Sequence, residues 1–386
     1  MKAFRKILFW THLVAGVVGG IVIFIMCVTG AALSFEKNIT EMAERDQRYV
    51  AVGDHRLSTR EILLKIIVAQ PNAKPSSMAA LSDPTASLTV ALGREGQLFV
   101  DPYAGVVTGE GNKSVRGFFR TMNDLHRYIA LSGDGRPAGK AITGVCNLLF
   151  LFLAISGLYI WMPRKLAWSR LRTVMWFRKT HSGKARDFNW HNTIGFWSSL
   201  VLIVLTLTAT VISYQWAGNL IYTLTGNDAP QQQQPPAAAP RPDQVFAVPE
   251  NIDAMWYIAE ARTDGWKSIA LRLPVTKDAV FTIDEGRSTN IFGRSTLTID
   301  AATGIVSKWE PYAELSSAKQ IRSWFRFTHT GESFGMVGQI VGFIACISGA
   351  FLVITGLSLA LRRQNKWLRR NTQLTPTAHA LRSDQR

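Results

Sequence analysis

Asn189-Trp190-His191-Asn192-Thr193-Ile194-Gly195-Phe196-Trp197 closes a basic loop and opens an uncharged run that continues to Asn227. It puts an imidazole at the mouth of a long apolar helix. Three other stretches also lack Asp, Glu, Lys and Arg: residues 7–35, 141–163 and 333–361. Each of the four exceeds the ~20 residues that a helix needs to cross the hydrocarbon core. The chain therefore reads as a polytopic α-helical membrane protein. The other runs are also marked by histidine. His12 sits in Trp10-Thr11-His12 at the start of the first run, and His126 and His329 precede the second and fourth.

The net charge of +16 reflects topology rather than affinity for nucleic acid. Lys2, Arg5 and Lys6 precede the first run. Eight Lys/Arg lie between Arg164 and Arg186 with no acid among them, and seven more run from Arg362 to Arg386. With four spans these basic segments share one side, which the positive-inside rule makes cytoplasmic. Both termini are then inside, and residues 36–140 and 228–332 are outside. The first run, at 29 residues (35 − 7 + 1), is too long for a signal-peptide core and reads as a retained span. Cys27, Cys146 and Cys346 all lie in apolar runs without a Cys-x-x-Cys spacing, so they read as small buried hydrophobes.

The outside segments share a pattern. Residues 59–69 have helical periodicity, and 87–92 and 97–100 alternate like strands. Asp101-Pro102-Tyr103-Ala104-Gly105 then forms a turn before Val106-Val107. After a third span and a Gln/Pro/Ala-rich tether at 230–242, the order repeats. A helix is expected at 252–262 and strands at 279–283 and 295–299. Asp300-Ala301-Ala302-Thr303-Gly304-Ile305-Val306 echoes the earlier turn. Asp300 − Asp101, Gly304 − Gly105, Gly356 − Gly157 and Arg363 − Arg164 all equal 199, which marks a duplication. The fold expected is four spans as two parallel repeats, each with a small α+β insert, related by a two-fold along the membrane normal. That two-fold pairs His12 with His191 at the cytoplasmic level and His126 with His329 at the outer level.

Buried, unpaired imidazole nitrogens each cost roughly 1–3 kcal/mol, so polar groups within membranes are functional candidates. A single such histidine is ordinarily a cap or an interfacial residue; two depth-matched pairs are not. Zinc wants four protein ligands, and Asp187 is the nearest acid to His191. Two histidines and little else suit the axial positions of b-type haem, two haems per chain. Iron so ligated has no vacant position, which points to electron transfer rather than oxygen chemistry. Gly16, Gly19, Gly20 and Gly195 leave room for a macrocycle or for close helix packing. Arg5, Lys6, Arg120, Arg127, Arg322 and Arg326 are cations within reach of propionates. His55, His181 and His379 read as surface histidines.

These pieces resemble the PepSY-associated transmembrane family. The resemblance rests on Trp10-Thr11-His12-Leu13 with Gly16, Leu125-His126-Arg127, and Ser156-Gly157-Leu158-Tyr159-Ile160-Trp161-Met162-Pro163-Arg164. It also rests on Asn189-Trp190-His191-Asn192, Thr328-His329-Thr330-Gly331, and outer segments similar to PepSY modules. Leu359-Ala360-Leu361-Arg362 departs from the Trp-x-Pro-Arg of the second span's end. The resemblance implies a bacterial inner-membrane protein of iron acquisition, similar to ferrisiderophore reductases, with His12 and His191 holding an inner haem and His126 and His329 an outer one. The divisions expected are a first span (1–36), a periplasmic PepSY-like domain (37–115), an outer interfacial helix with the second span (116–163) and a cytoplasmic loop (164–187). A third span (188–227), a linker with a second periplasmic domain (228–320), an outer segment with the fourth span (321–363) and a cytoplasmic tail (364–386) follow. The function expected is reduction of ferric siderophore, or another ferric chelate, with electrons from quinol or a cytoplasmic reductase. The alternatives are a siderophore permease or uptake accessory without redox activity, and outer binding modules merely anchored by the spans. Membrane lipid is an expected partner; nucleic acid is not.

Overall fold

The computed structural model describes residues 2–93, 96–163, 168–180, 182–229, 248–286 and 293–373. The expected tether at 230–242, Arg164, His181 and His379 lie outside the described residues. In chain order the helices are α1 (Lys2–Leu33), α2 (Glu36–Ala43), α3 (Arg45–Arg48), α4 (Thr59–Ala69), α5 (Lys113–Tyr128) and α6 (Arg136–Trp161). They continue as α7 (Trp168–Met175), α8 (Gly183–Ser213), α9 (Gln215–Leu224), α10 (Ile252–Ala261), α11 (Ser317–His329) and α12 (Gly335–Gln373). The strands are β1 (Ser77–Leu81), β2 (Leu88–Ala91), β3 (Gln97–Val100), β4 (Val107–Gly109), β5 (Ser268–Arg272), β6 (Asp278–Asp284), β7 (Ser295–Asp300) and β8 (Val306–Glu310).

The chain divides into two compact units. The first comprises Met1–Ser34, Thr121–Gln215 and Thr328–Arg386; the second comprises Phe35–Arg120 and Trp216–Phe327.

The first unit holds four helices long and apolar enough to cross a membrane, and these are α1, α6, α8 and α12. Their apolar residues face outward as well as inward. Val18 and Ile21 of α1, Leu200 of α8 and Val337 of α12 are 69–72 % exposed. In water such a continuous apolar surface is a liability, whereas in a bilayer it is the face that meets lipid. α1 packs against α6 and α12, and α8 packs against the same two. α1 and α8 therefore oppose each other across the bundle, as do α6 and α12. The interior is sealed by Ile23, Cys27, Cys146 and Ala350 with Phe150, Leu153 and Val353 around them. Cys27 and Cys146 are buried within it, as small hydrophobes are. Buried Asn147 donates to the Thr206 carbonyl and the Thr210 hydroxyl, both at 3.0 Å, tying α6 to α8 with the kind of polar contact that joins helices in lipid.

The uncharged run at 188–227 is not one helix. α8 stops at Ser213 because Tyr214 is extended (φ −114°, ψ 128°), and its hydroxyl fits over Gly144, where a Cβ would collide with it. The remainder of the run forms α9, which from Trp216 onward belongs to the second unit. α6 begins with proline in its first turn, where the missing N–H costs nothing.

The second unit is built on one eight-stranded antiparallel sheet, in the order β4-β3-β2-β1-β5-β6-β7-β8. Residues 77–109 and 268–310 thus join edge to edge through β1 and β5, with Ala79 opposite Ala270 and Leu81 opposite Ser268. One sheet face is apolar along its whole width: Met78, Val90, Leu98, Val100, Ile269, Leu271, Phe281, Ile283, Leu297 and Ile299 are buried there. α4 covers it with Ile62, Leu63 and Ile66, and α10 with Ile252, Met255 and Ala259. α4 is started by a capping box in which the Glu61 N–H donates to Ser58 Oγ (3.2 Å) and the Ser58 N–H donates to Glu61 (3.0 Å). The two echoed turns have one geometry. Asp101 Oδ1 accepts from the Tyr103 N–H (2.7 Å), and Asp300 Oδ1 accepts from the Thr303 N–H (2.8 Å). Gly105 and Gly304 each sit at φ +70°, a conformation that glycine adopts without strain.

Candidate functional site

All four predicted histidines fall in the first unit, and each is part-buried among the spans. α1 carries His12 and α8 carries His191 about two to three turns in, and these helices oppose each other. α5 and α11 deliver His126 and His329 at or near their last residues. The chain beyond α5 is tightly held. Ile129 and Ala130 take φ of +51° and +58°, which is strained for a β-branched residue, while the Thr143 hydroxyl of α6 donates to the Arg127 carbonyl at 2.9 Å.

Each ring has its Nδ1 engaged. His12 Nδ1 meets Ser156 Oγ at 2.8 Å, and His191 Nδ1 meets Thr355 Oγ1 at 2.9 Å. His126 Nδ1 lies 3.0 Å from the Met26 carbonyl and 3.1 Å from Thr29 Oγ1. His329 Nδ1 lies 3.0 Å from the Leu205 carbonyl and 3.1 Å from Thr208 Oγ1. A carbonyl only accepts, so the outer rings carry their proton on Nδ1 and present a bare Nε2. An imidazole held by its Nδ1 proton is in the tautomer and orientation that a metal ligand needs.

The four rings stand in two neighbouring couples. The His126 and His329 ring centroids are 6.4 Å apart. With a metal–imidazole bond of ~2.0–2.1 Å and about 1.1 Å from nitrogen to ring centre, two rings trans on one ion lie roughly 6.2–6.4 Å apart. His12 and His191 are near enough to influence each other electrostatically. Along α1, the 14 residues from His12 to Met26 rise about 21 Å, which separates the two levels. Among the described residues no three of His, Cys, Asp and Glu converge, so each pair would need other ligands to complete an ion's coordination. Asp187 is committed elsewhere: it accepts from Ser358 (2.8 Å) and Arg362 (3.3 Å) of α12 and from Arg186 (3.0 Å).

Three further glycines line the rings. A Cβ on Gly157 would stand 3.2 Å from His12 Cε1, on Gly356 3.3 Å from His191 Cε1, and on Gly30 3.2 Å from His126 Cε1. Gly16, Gly19, Gly20 and Gly195 instead face leucine, isoleucine or valine side chains, Gly19 at 3.1 and 3.2 Å, and serve helix packing. Of the expected propionate partners, Arg5 donates to the Met162 carbonyl (2.9 Å) and Arg127 stacks on Tyr128. Arg120, Arg322 and Arg326 belong to the second unit. His55 is exposed, as a surface histidine is.

The residues that sequence reasoning missed are the acceptors: Ser156, Thr355, Thr29, Thr208 and the carbonyls of Met26 and Leu205. Two signals were present. Ser156 and Thr355 stand in the Ser/Thr-Gly-Leu contexts that mark the 199-residue offset, and Thr29 and Thr208 each follow a histidine by 17 residues (29 − 12; 208 − 191).

Four membrane-length helices enclosing paired histidines, together with an antiparallel sheet outside the spans, define a polytopic membrane protein with a buried imidazole site. The sequence pattern of the PepSY-associated TM region matches residues 9–363, and the chain belongs to that family. No curated protein matches it.

Proposed function

We propose that this chain is an inner-membrane, two-haem b reductase that delivers electrons to ferric siderophore in the periplasm and so releases iron for uptake. The observation that carries the reading is the set of four imidazoles held by Nδ1, whose outer members have the spacing of two ligands on one ion. His12 and His191 would hold one haem, and His126 and His329 the other. Bound there, haem b would supply a one-electron couple. The protein's part is to fix the rings, exclude water and hold two sites at different levels of one bundle. Ile23, Phe150 and Leu153 keep the space between the levels apolar.

The rest of the reading follows from the charge pattern and the matched spacings. The chain is a duplication in which each half contributes one ligand to each pair. Both termini and the basic loop lie in the cytoplasm, and the second unit lies in the periplasm. The electron donor is a quinol or a cytoplasmic reductase. One electron per iron converts Fe(III) to Fe(II), which hard oxygen chelators hold far less tightly. The test mixes dithionite-reduced, desalted protein with a ferric trihydroxamate under argon, with a ferrous-specific chromophore present. The reading predicts one ferrous complex formed per electron lost from the protein's visible spectrum. A reduced spectrum that persists unchanged in excess ferric chelate contradicts it.

A further inference from the structure

The two pairs are not held alike. We infer that the acceptors on Nδ1 make the outer pair the more electron-donating, so that iron held by His126 and His329 has a lower reduction potential than iron held by His12 and His191. This rests on the proposed function above. A ligating imidazole becomes more basic as the acceptor of its Nδ1 proton becomes stronger, and a more basic ligand favours Fe(III).

Each outer ring has two acceptors, one a backbone carbonyl: Met26 and Thr29 for His126, Leu205 and Thr208 for His329. The two threonine hydroxyls have their own protons placed elsewhere. Thr29 donates to the Ile25 carbonyl at 2.6 Å and Thr208 to the Val204 carbonyl at 2.9 Å. Only oxygen lone pairs therefore face the outer imidazoles. The inner rings differ from each other: His191 has Thr355 with the Leu352 carbonyl, whereas His12 has the Ser156 hydroxyl. Thr355 sends its proton to the Phe351 carbonyl at 2.8 Å and so accepts from His191, and the Leu352 carbonyl also acts on this ring as an acceptor. Ser156 is the weakest support. Its own carbonyl contact, to Leu153, is long at 3.4 Å, so its proton is only loosely directed away from His12. Of the four supports that of His12, in the inner pair, is thus the weakest.

The experiment is an equilibrium redox titration of the haem-loaded full chain, followed by its visible spectrum, for wild type and for Ser156→Ala, Ser156→Thr and Thr29→Val. The inference predicts two steps in wild type. Ser156→Ala moves only the higher-potential step, and moves it upward. Ser156→Thr restores it, a rescue that a purely structural role does not give. Thr29→Val leaves the lower step nearly in place, because the Met26 carbonyl remains. If Ser156→Ala sheds its haem, Thr355→Val reads the same step. Movement of the lower-potential step by Ser156→Ala or Thr355→Val, or a single unresolved step in every protein, overturns the inference and leaves the proposed function standing. Wild-type protein without haem overturns both.

Discussion

At the scale of single residues, the site depends on what stands behind each histidine. Gly157 and Gly356 back the inner rings so closely that a methyl group would force them to move, and the Nδ1 of each ring is fixed by Ser156 or Thr355. Gly157→Ala should therefore lose about half of the haem absorbance per chain while the helices stay folded, as read by circular dichroism. Ala209 provides the control. It stands 17 residues plus one after His191, where Gly30 stands after His12. Ala209→Gly should lower helix stability by about 1 kcal/mol through backbone entropy and leave the spectrum unchanged. A Gly157→Ala protein with full haem content would show that the close approach does not matter.

The elements show what the sequence revealed and what it hid. The four spans are legible because hydropathy alone decides them, and α4 and α10 are legible because their apolar faces recur at helical spacing. β1 and β5, the strands that join the two halves of the sheet, are not. Ser77-Met78-Ala79-Ala80-Leu81 and Ser268-Ile269-Ala270-Leu271-Arg272 are poor in β-branched and aromatic residues, and their strand character comes from pairing with each other and with β2 and β6. The four histidines were legible as pairs from their places before apolar runs. Their acceptors were not, because serine and threonine are common in spans and only the fold brings Ser156 to His12.

A second hidden feature is the buried carboxylate of Glu44, between α2 and α3. It accepts from Arg48 (3.0 Å), from Arg116 (2.5 and 2.7 Å) and from the Asn112 N–H (3.0 Å). Burial alone would raise its pKa, but the Arg116 and Asn112 hydrogen bonds, the Arg116 charge and the Arg48 bond outweigh that and hold it below the ordinary glutamate range. Its contribution to stability is therefore present above that range and is lost as pH falls through the lowered folded-state value. Arg116→Ala, which removes two of the four hydrogen bonds on this carboxylate and leaves Arg48 in place, should cost about 1–3 kcal/mol. Hydrogen exchange across residues 107–116 should speed up in that variant at neutral pH and in wild type at acid pH. Unchanged protection in Arg116→Ala would remove this network from the account.

The molecule as a whole combines a bundle suited to lipid with a sheet unit suited to water, and the proposed cytoplasmic termini rest on the charge pattern. Fluorescent-protein fusion at the C-terminus should fluoresce, and alkaline phosphatase inserted at residue 264, in the second unit, should be active. The reverse pattern would turn the proposed direction of electron delivery around. The central claim is that four side chains bind two haems, and haem content tests it most directly. A pyridine haemochrome measurement on purified protein should give two b-type haems per chain, and about one in His12→Ala or in His126→Ala. No haem in wild type, or two in both variants, would contradict the account.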